Sequence, residues 1–222
     1  QQAQAAEEGT TLSEETIAEQ MTALYGPFAP AAQGQEGLVT LENSKLRIGI
    51  ARRGGVVAKA ELKDYKAYGD SVNPLCLFQG EESQLNFTLI TNNSRIISTK
   101  NLYFSAANQT TDAEGNTSLV MRLNTSIENC YIDIVYTLAA DDYMLGMSIQ
   151  PHNMQWALAQ NMSSIEMQWT QLIPQQEKGR KFEEKYAQLQ YMFVGGDVEK
   201  LSEVKADRAK ESARLKWIGY KD

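Results

Sequence analysis

The sequence predicts a mainly β fold, an antiparallel β-sandwich carrying a few short peripheral helices. Three observations predict it. From residue 38 onward, apolar side chains recur with period two in eleven short runs. Turn-rich stretches separate the runs, among them YGDSVNP, TNNS, NQTTDAEGN and AADD. Few helical stretches intervene, whereas a parallel α/β sheet needs a crossover between its strands.

The elements follow in order. Residues 1–9 are polar, small and aperiodic and read as a disordered linker. Thr11 and Glu14 form a capping-box pattern, and Ile17, Met21 and Leu24 fall on one helical face. This predicts a short amphipathic helix over about 11–25, stopped by Gly26 and Pro27. PFAPAAQGQEG reads as a second linker, so residues 1–37 are expected as linker plus helix and 38–222 as one β domain. Strands are expected in LVTLEN, KLRIGIA, VVAKAELKDY, QLNFTLIT, RIIST, NLYFSA, TSLVMRLN, CYIDIVYTL, YMLGMSIQ, SIEMQWTQLI and LQYMFV. QQEKGRKFEEKYAQ predicts a short charged helix. A second charged helix is expected over about 197–213, with Asp197 as N-cap and Val198, Leu201 and Val204 as a thin apolar stripe. Residues 215–222 turn apolar again.

Composition narrows the function. The 222 residues are 42% hydrophobic and carry a formal net charge of −7. Such a surface repels phosphate, so nucleic acid is not an expected partner, and anionic lipid is disfavoured for the bulk surface. No run approaches the ~20 apolar residues that span a bilayer, and no signal-peptide pattern is present. The first residue is Gln1, which reads as a segment of a longer protein. Two cysteines, Cys76 and Cys130, cannot build a zinc site alone. Cys130 alternates with Ile132, Ile134, Tyr136 and Leu138 and reads as a buried thiol on an inward strand face. In an oxidising compartment, one bridge closing so long a loop would contribute ~4 kcal/mol.

The stretch IGIARRGGVVAKAELKDY raises three possibilities. A twin-arginine signal needs an apolar run after the arginines near the N-terminus, but Arg52 and Arg53 are internal and Lys59, Glu61 and Lys63 follow. A phosphate loop needs spaced glycines opening onto a helix, but Gly54 and Gly55 are adjacent and a β-branched pair follows. A hairpin turn remains, with Gly54 and Gly55 supplying positive φ.

Other residues carry little chemistry. His152 is the only histidine and is expected in a strand-end loop, which excludes a multi-histidine metal site. Asp141 with Asp142, and Glu81 with Glu82, read as solvated turns. Six sequons begin at Asn86, Asn92, Asn108, Asn116, Asn124 and Asn161, though such residues are common in turns and on exposed strand faces. Trp156, Trp169, Tyr186 and Tyr191 either line a carbohydrate or peptide groove or pack against the sheets. No catalytic residue, cofactor or metal is implied.

Three segments carry a resemblance. VTLENSKLRIGIARRGGVVAKAELKDYKAYG, LAADDYMLGMSIQPHNM and LKWIGYKD resemble the large periplasmic domain of YidC-type membrane protein insertases, over roughly 38–222. The charged stretch at 197–215 and the Gln-rich N-terminal helix resemble the version found in Bacteroidetes-type bacteria. The resemblance implies a β-supersandwich similar to the galactose-mutarotase superfamily, at the periplasmic face of the bacterial inner membrane. It implies a domain without catalysis that helps insert and fold membrane proteins, alone or with the Sec translocon. The implied partners are SecDF and Sec subunits and nascent membrane proteins, with the membrane reached through flanking helices. It also makes Trp217, Ile218, Tyr220 and Lys221 the expected membrane-proximal or partner contact. Enzymes of that superfold use several histidines, and this chain has one. The alternative is a stand-alone carbohydrate-binding or aldose-epimerase-like β-sandwich.

Overall fold

The computed structural model describes residues 14–202, 205–210 and 213–221. It is mainly β and antiparallel, as the alternation predicts. The first sheet runs β1 (Leu38–Glu42), β2 (Leu46–Ala51), β3 (Val57–Leu62) and β4 (Leu75–Gln79), in that order. Next come β5 (Ser83–Ile90) and β6 (Ile96–Ser98). A meander of β7 (Ser105–Thr111), β8 (Thr117–Asn124), β9 (Tyr131–Leu138) and β10 (Leu145–His152) forms the second four-stranded sheet. β11 (Glu166–Gln171) pairs with β5 to make a three-stranded sheet with β6. Last come α2 (Arg180–Tyr186), β12 (Gln188–Phe193), β13 (Val198–Lys200) and β14 (Leu215–Lys221), with β12 between the other two strands.

One core joins the first three sheets. β9 shows why: Ile132, Ile134, Tyr136 and Leu138 all face inward and are buried, as is Cys130 just before the strand. They meet Leu41, Ile48 and Ile50 of the first sheet and Phe87 and Leu89 of β5 in the same cluster. Both thiols are free, so the bridge considered from the sequence does not form. Cys130 Sγ instead lies 3.6 Å from Met154 Sδ.

The N-terminal helix, α1, is described over Glu14–Tyr25; its expected capping residue Thr11 lies outside the described residues. None of its side chains is fully buried, and Tyr25 at its end packs against the core. The stretch after it is less of a linker than expected. Gly26–Ala31 forms a 3-10 turn that sends Phe28 and Ala31 into the core. No described helix is long and apolar enough to cross a membrane.

Three other expectations need correction. The charged helix over 197–213 does not form among the described residues: Val198–Lys200 is a strand. The reason is local. Gly195 takes φ +82°, and the Gly196 N–H donates to the Phe193 carbonyl, so the chain folds back onto β12. A thin apolar stripe offers a helix too little to bury, whereas Tyr191 donates a hydrogen bond to Glu199 across the hairpin. The NLYFSA strand starts late, at Ser105, because Thr99–Asn101 closes a 3-10 turn and Leu102 and Phe104 are drawn into the core. Asn108–Thr111, expected as turn, extends that strand. As a sheet edge it needs no apolar face, and every residue of β7 is exposed. β4, in NPLCLFQG, had too short an alternation to be seen.

Candidate functional site

The Gly-Gly turn is structural. Gly54 and Gly55 have φ of +82° and +66°, and the Ala51 N–H donates to the Val56 carbonyl at 2.8 Å. A Cβ on Gly55 would stand 2.6 Å from the Phe104 ring, and its carbonyl accepts the buried Tyr136 hydroxyl at 2.8 Å. Burial pushes that phenol far above the ordinary tyrosine range. Arg53, beside the turn, donates through Nε to the Lys100 carbonyl and sits 3.6 Å from Glu36. No helix opens here.

The expected contact segment is β14, held by β12. The register sets Tyr220 opposite Leu189, Ile218 opposite Tyr191, and Trp217 opposite Met192; Lys221 pairs with Gln188. Strand pleating therefore divides the expected residues. Ile218 and Tyr220 share the face of Tyr191, which is 6% exposed. Tyr220 also packs edge-on against Trp169 of β11 at 4.8 Å, and burial raises its phenol pKa. Trp217 points the other way, in a row with Met192 and Val198, and is half-buried. One face of this sheet thus anchors to the body and the other meets solvent. Among the buried apolar side chains of the described residues, only Tyr191 lies outside the main core cluster, so this sheet forms a lobe of its own.

The aromatic side chains that a sugar groove would need do not converge. Trp156 is 63% exposed, and its carbonyl is bound by the Asn92 side chain. Trp169 is spent on Tyr220, Tyr186 lies against Phe182, and Tyr191 against Phe193. A groove of about 620 Å³ lies instead along α1, between Ile17, Met21, Ala29 and Pro30. Asp141 and Asp142 sit in a turn as expected; Asp141 accepts from Ser44 Oγ and lies 3.5 Å from Lys45. Ser44 and Lys45 hold its carboxyl below the usual range. Among the described residues no cluster of three or more His, Cys, Asp or Glu could hold a metal.

One polar constellation escaped the sequence reading. Arg122 of β8 grips Asp133 of β9 with two bonds, of 2.7 and 2.8 Å, and its guanidinium lies 3.6 Å from the centre of the Tyr131 ring. His152 is the last residue of β10 rather than a loop residue, and it stacks on Tyr131 at 4.5 Å. Its Nε2 is 3.7 Å from Asp133 Oδ2, beyond hydrogen-bond reach. Asp133 is thus neutralised by an arginine, an arrangement that fastens strands together. Arg122 and Asp133 stand opposite each other about the 125–130 turn, the one signal that could have revealed the pair.

Comparison with known proteins fits this picture. A family model described as the YidC periplasmic domain matches residues 38–222. The membrane protein insertase YidC of Parabacteroides distasonis is 42% identical over 213 residues, covering 95% of this chain and 32% of that protein. That of Azobacteroides pseudotrichonymphae is 40% identical over 203 residues, covering 91% and 32%. That of Porphyromonas gingivalis is 36% identical over 199 residues, covering 89% and 30%. The chain spans about a third of the length of these curated relatives.

Proposed function

Because the chain belongs to the YidC periplasmic domain family, we propose that it serves an inner-membrane protein insertase, helping new membrane proteins to insert and fold. It acts by contact and not by covalent chemistry. Its partners are nascent membrane proteins and, through a chaperone-like surface, SecDF and the Sec translocon. β14 is the membrane-proximal contact element, with Trp217 presented outward and Ile218 and Tyr220 holding the strand in place; Lys221 closes its ladder. The observation that carries this reading is that β14 lies within the matched segment and leaves one apolar face half-open.

The test is site-specific photo-crosslinking in cells, in the full-length insertase. A photoreactive residue at position 217 should give adducts with Sec subunits or nascent membrane proteins. One at position 218 should give none, because that face is occupied. Equal adduct yields at the two positions, or none at 217 in a functional protein, would count against the reading.

A further inference from the structure

The charge of this chain is unevenly spread. Residues 1–177 carry 20 acidic and 10 basic side chains, whereas residues 178–222 carry 8 acidic and 11 basic. The net −7 therefore divides into −10 and +3. The basic part is one region of the fold, since α2 leads directly into β12, and β12 holds β13 and β14 on its two edges.

The same region leaves bulky apolar side chains in water. Phe182 is 68% exposed and lies 4.9 Å from Tyr186 on α2. Val194, Val198 and Leu215 are exposed, and Trp217 is half-buried beside Met192. The one inward acid of the helix, Glu183, is buried and accepts the N–H groups of Gln176 and Glu177 at 2.6 and 3.1 Å. Lys185 Nζ lies 6.0 Å from the centre of the Tyr186 ring and Lys178 Nζ 5.9 Å from that of Tyr68. Lys181 of the helix stays exposed, as do Lys200 and Lys216 on the sheet. Aromatic bodies interleaved with long basic side chains match the depth profile of a lipid interface. Rings and aliphatic stems suit the headgroup–acyl boundary, and ammonium groups reach back to phosphate.

We propose that α2 and the β12–β14 sheet dock on the headgroup layer of an anionic phospholipid bilayer. This rests on the membrane-proximal reading of β14 and gives that element its partner. The acidic remainder of the molecule is repelled by the same surface, so the charge split orients the domain as well as attracting it. The whole-chain charge, which disfavours anionic lipid, averages over two regions of opposite sign.

The test uses the 222-residue chain and vesicles of phosphatidylcholine, with or without about one third phosphatidylglycerol. The protein should sediment with the anionic vesicles at low salt and be released at about 0.5 M salt. Lys181→Glu, Lys200→Glu and Lys216→Glu combined should weaken binding at least about ten-fold with an unchanged thermal transition. Brominated lipid should quench the tryptophan fluorescence; Trp217→Phe should abolish the quenching and Trp156→Phe should leave it. No binding, equal binding to neutral vesicles, or undiminished binding by the triple variant would overturn the proposal. Protein adducts at position 217 in cells without vesicle binding would leave the insertase reading standing and make the partner of this surface a protein. If adducts at 217 are missing while the vesicles bind, the protein partners proposed for this element fall, and its membrane-proximal placement and lipid docking stand.

Discussion

Gly55 and Tyr136 are far apart in sequence and depend on each other. The turn needs positive φ at Gly55, the Phe104 ring fills the place of a side chain, and the Tyr136 hydroxyl satisfies the carbonyl. Gly55→Ala should therefore cost about 2–4 kcal/mol, combining strain with a clash in the core. Tyr136→Phe should cost about 1–2 kcal/mol through the orphaned carbonyl. Urea denaturation of both variants checks the two values. The sequence announced the turn through its paired glycines, but not the hydroxyl that fastens it, because that bond crosses 81 residues. Arg122 poses the sharper case. The Asp133 side chain is 7% exposed, so Arg122→Met strands a buried carboxylate and should cost about 3–5 kcal/mol. Replacing both, by Arg122→Met with Asp133→Leu, should recover most of that loss in the same assay.

Among the elements, β9 and β14 mark two extremes. β9 lies between β8 and β10 and presents an inward face of Ile132, Ile134, Tyr136 and Leu138; its amides should exchange only on global unfolding. The sheet of β12, β13 and β14 lies outside the main core cluster, so its amides should exchange through local opening at a lower free energy. Hydrogen exchange followed by mass spectrometry separates the two cases, and equal protection would contradict the division. Within β14 both half-buried side chains should matter. Ile218→Ala should destabilise this sheet by about 1–2 kcal/mol, and Trp217→Ser by about 1–3 kcal/mol. Strand β9 was legible in the sequence because its alternation is strict. The charged helix was misread because its composition suits a helix, while the returning turn at Gly195 and Gly196 makes an edge strand instead.

At the scale of the whole molecule, several carboxylates set the response to acid. Arg47 and then Lys63 hold Glu42 below the usual range; Asn73 does so for Asp70 and Asn116 for Asp112. Their folded pKa values lie below the unfolded ones, so between the two the unfolded chain binds more protons. Stability from these groups is present above the ordinary carboxylate range and is lost as pH falls through and below it. Thermal melts should accordingly show a midpoint that holds from neutrality to about pH 5 and then drops. Glu42→Gln should make that drop shallower; an unaltered acid profile would show that the pairing contributes nothing. The free thiols give a separate check on the core. Burial raises the Cys76 thiol and Cys130 is enclosed, so a thiol reagent should label Cys76 slowly and Cys130 only on unfolding.

By itself the sequence determined the class of fold, the positions of most strands and the Gly54–Gly55 hairpin, because alternation and glycine φ are properties of neighbouring residues. The segments that resemble the insertase domain likewise lie in continuous stretches of chain. Tertiary structure alone decided that Phe28 belongs to the core and that Asp133 is buried against Arg122. It also decided that β14 sets Ile218 and Tyr220 on the face of Tyr191 and Trp217 on the opposite face with Met192. Each of those outcomes depends on which strand lies alongside. Pairing register is set by contacts between residues far apart in the chain, which no local pattern contains.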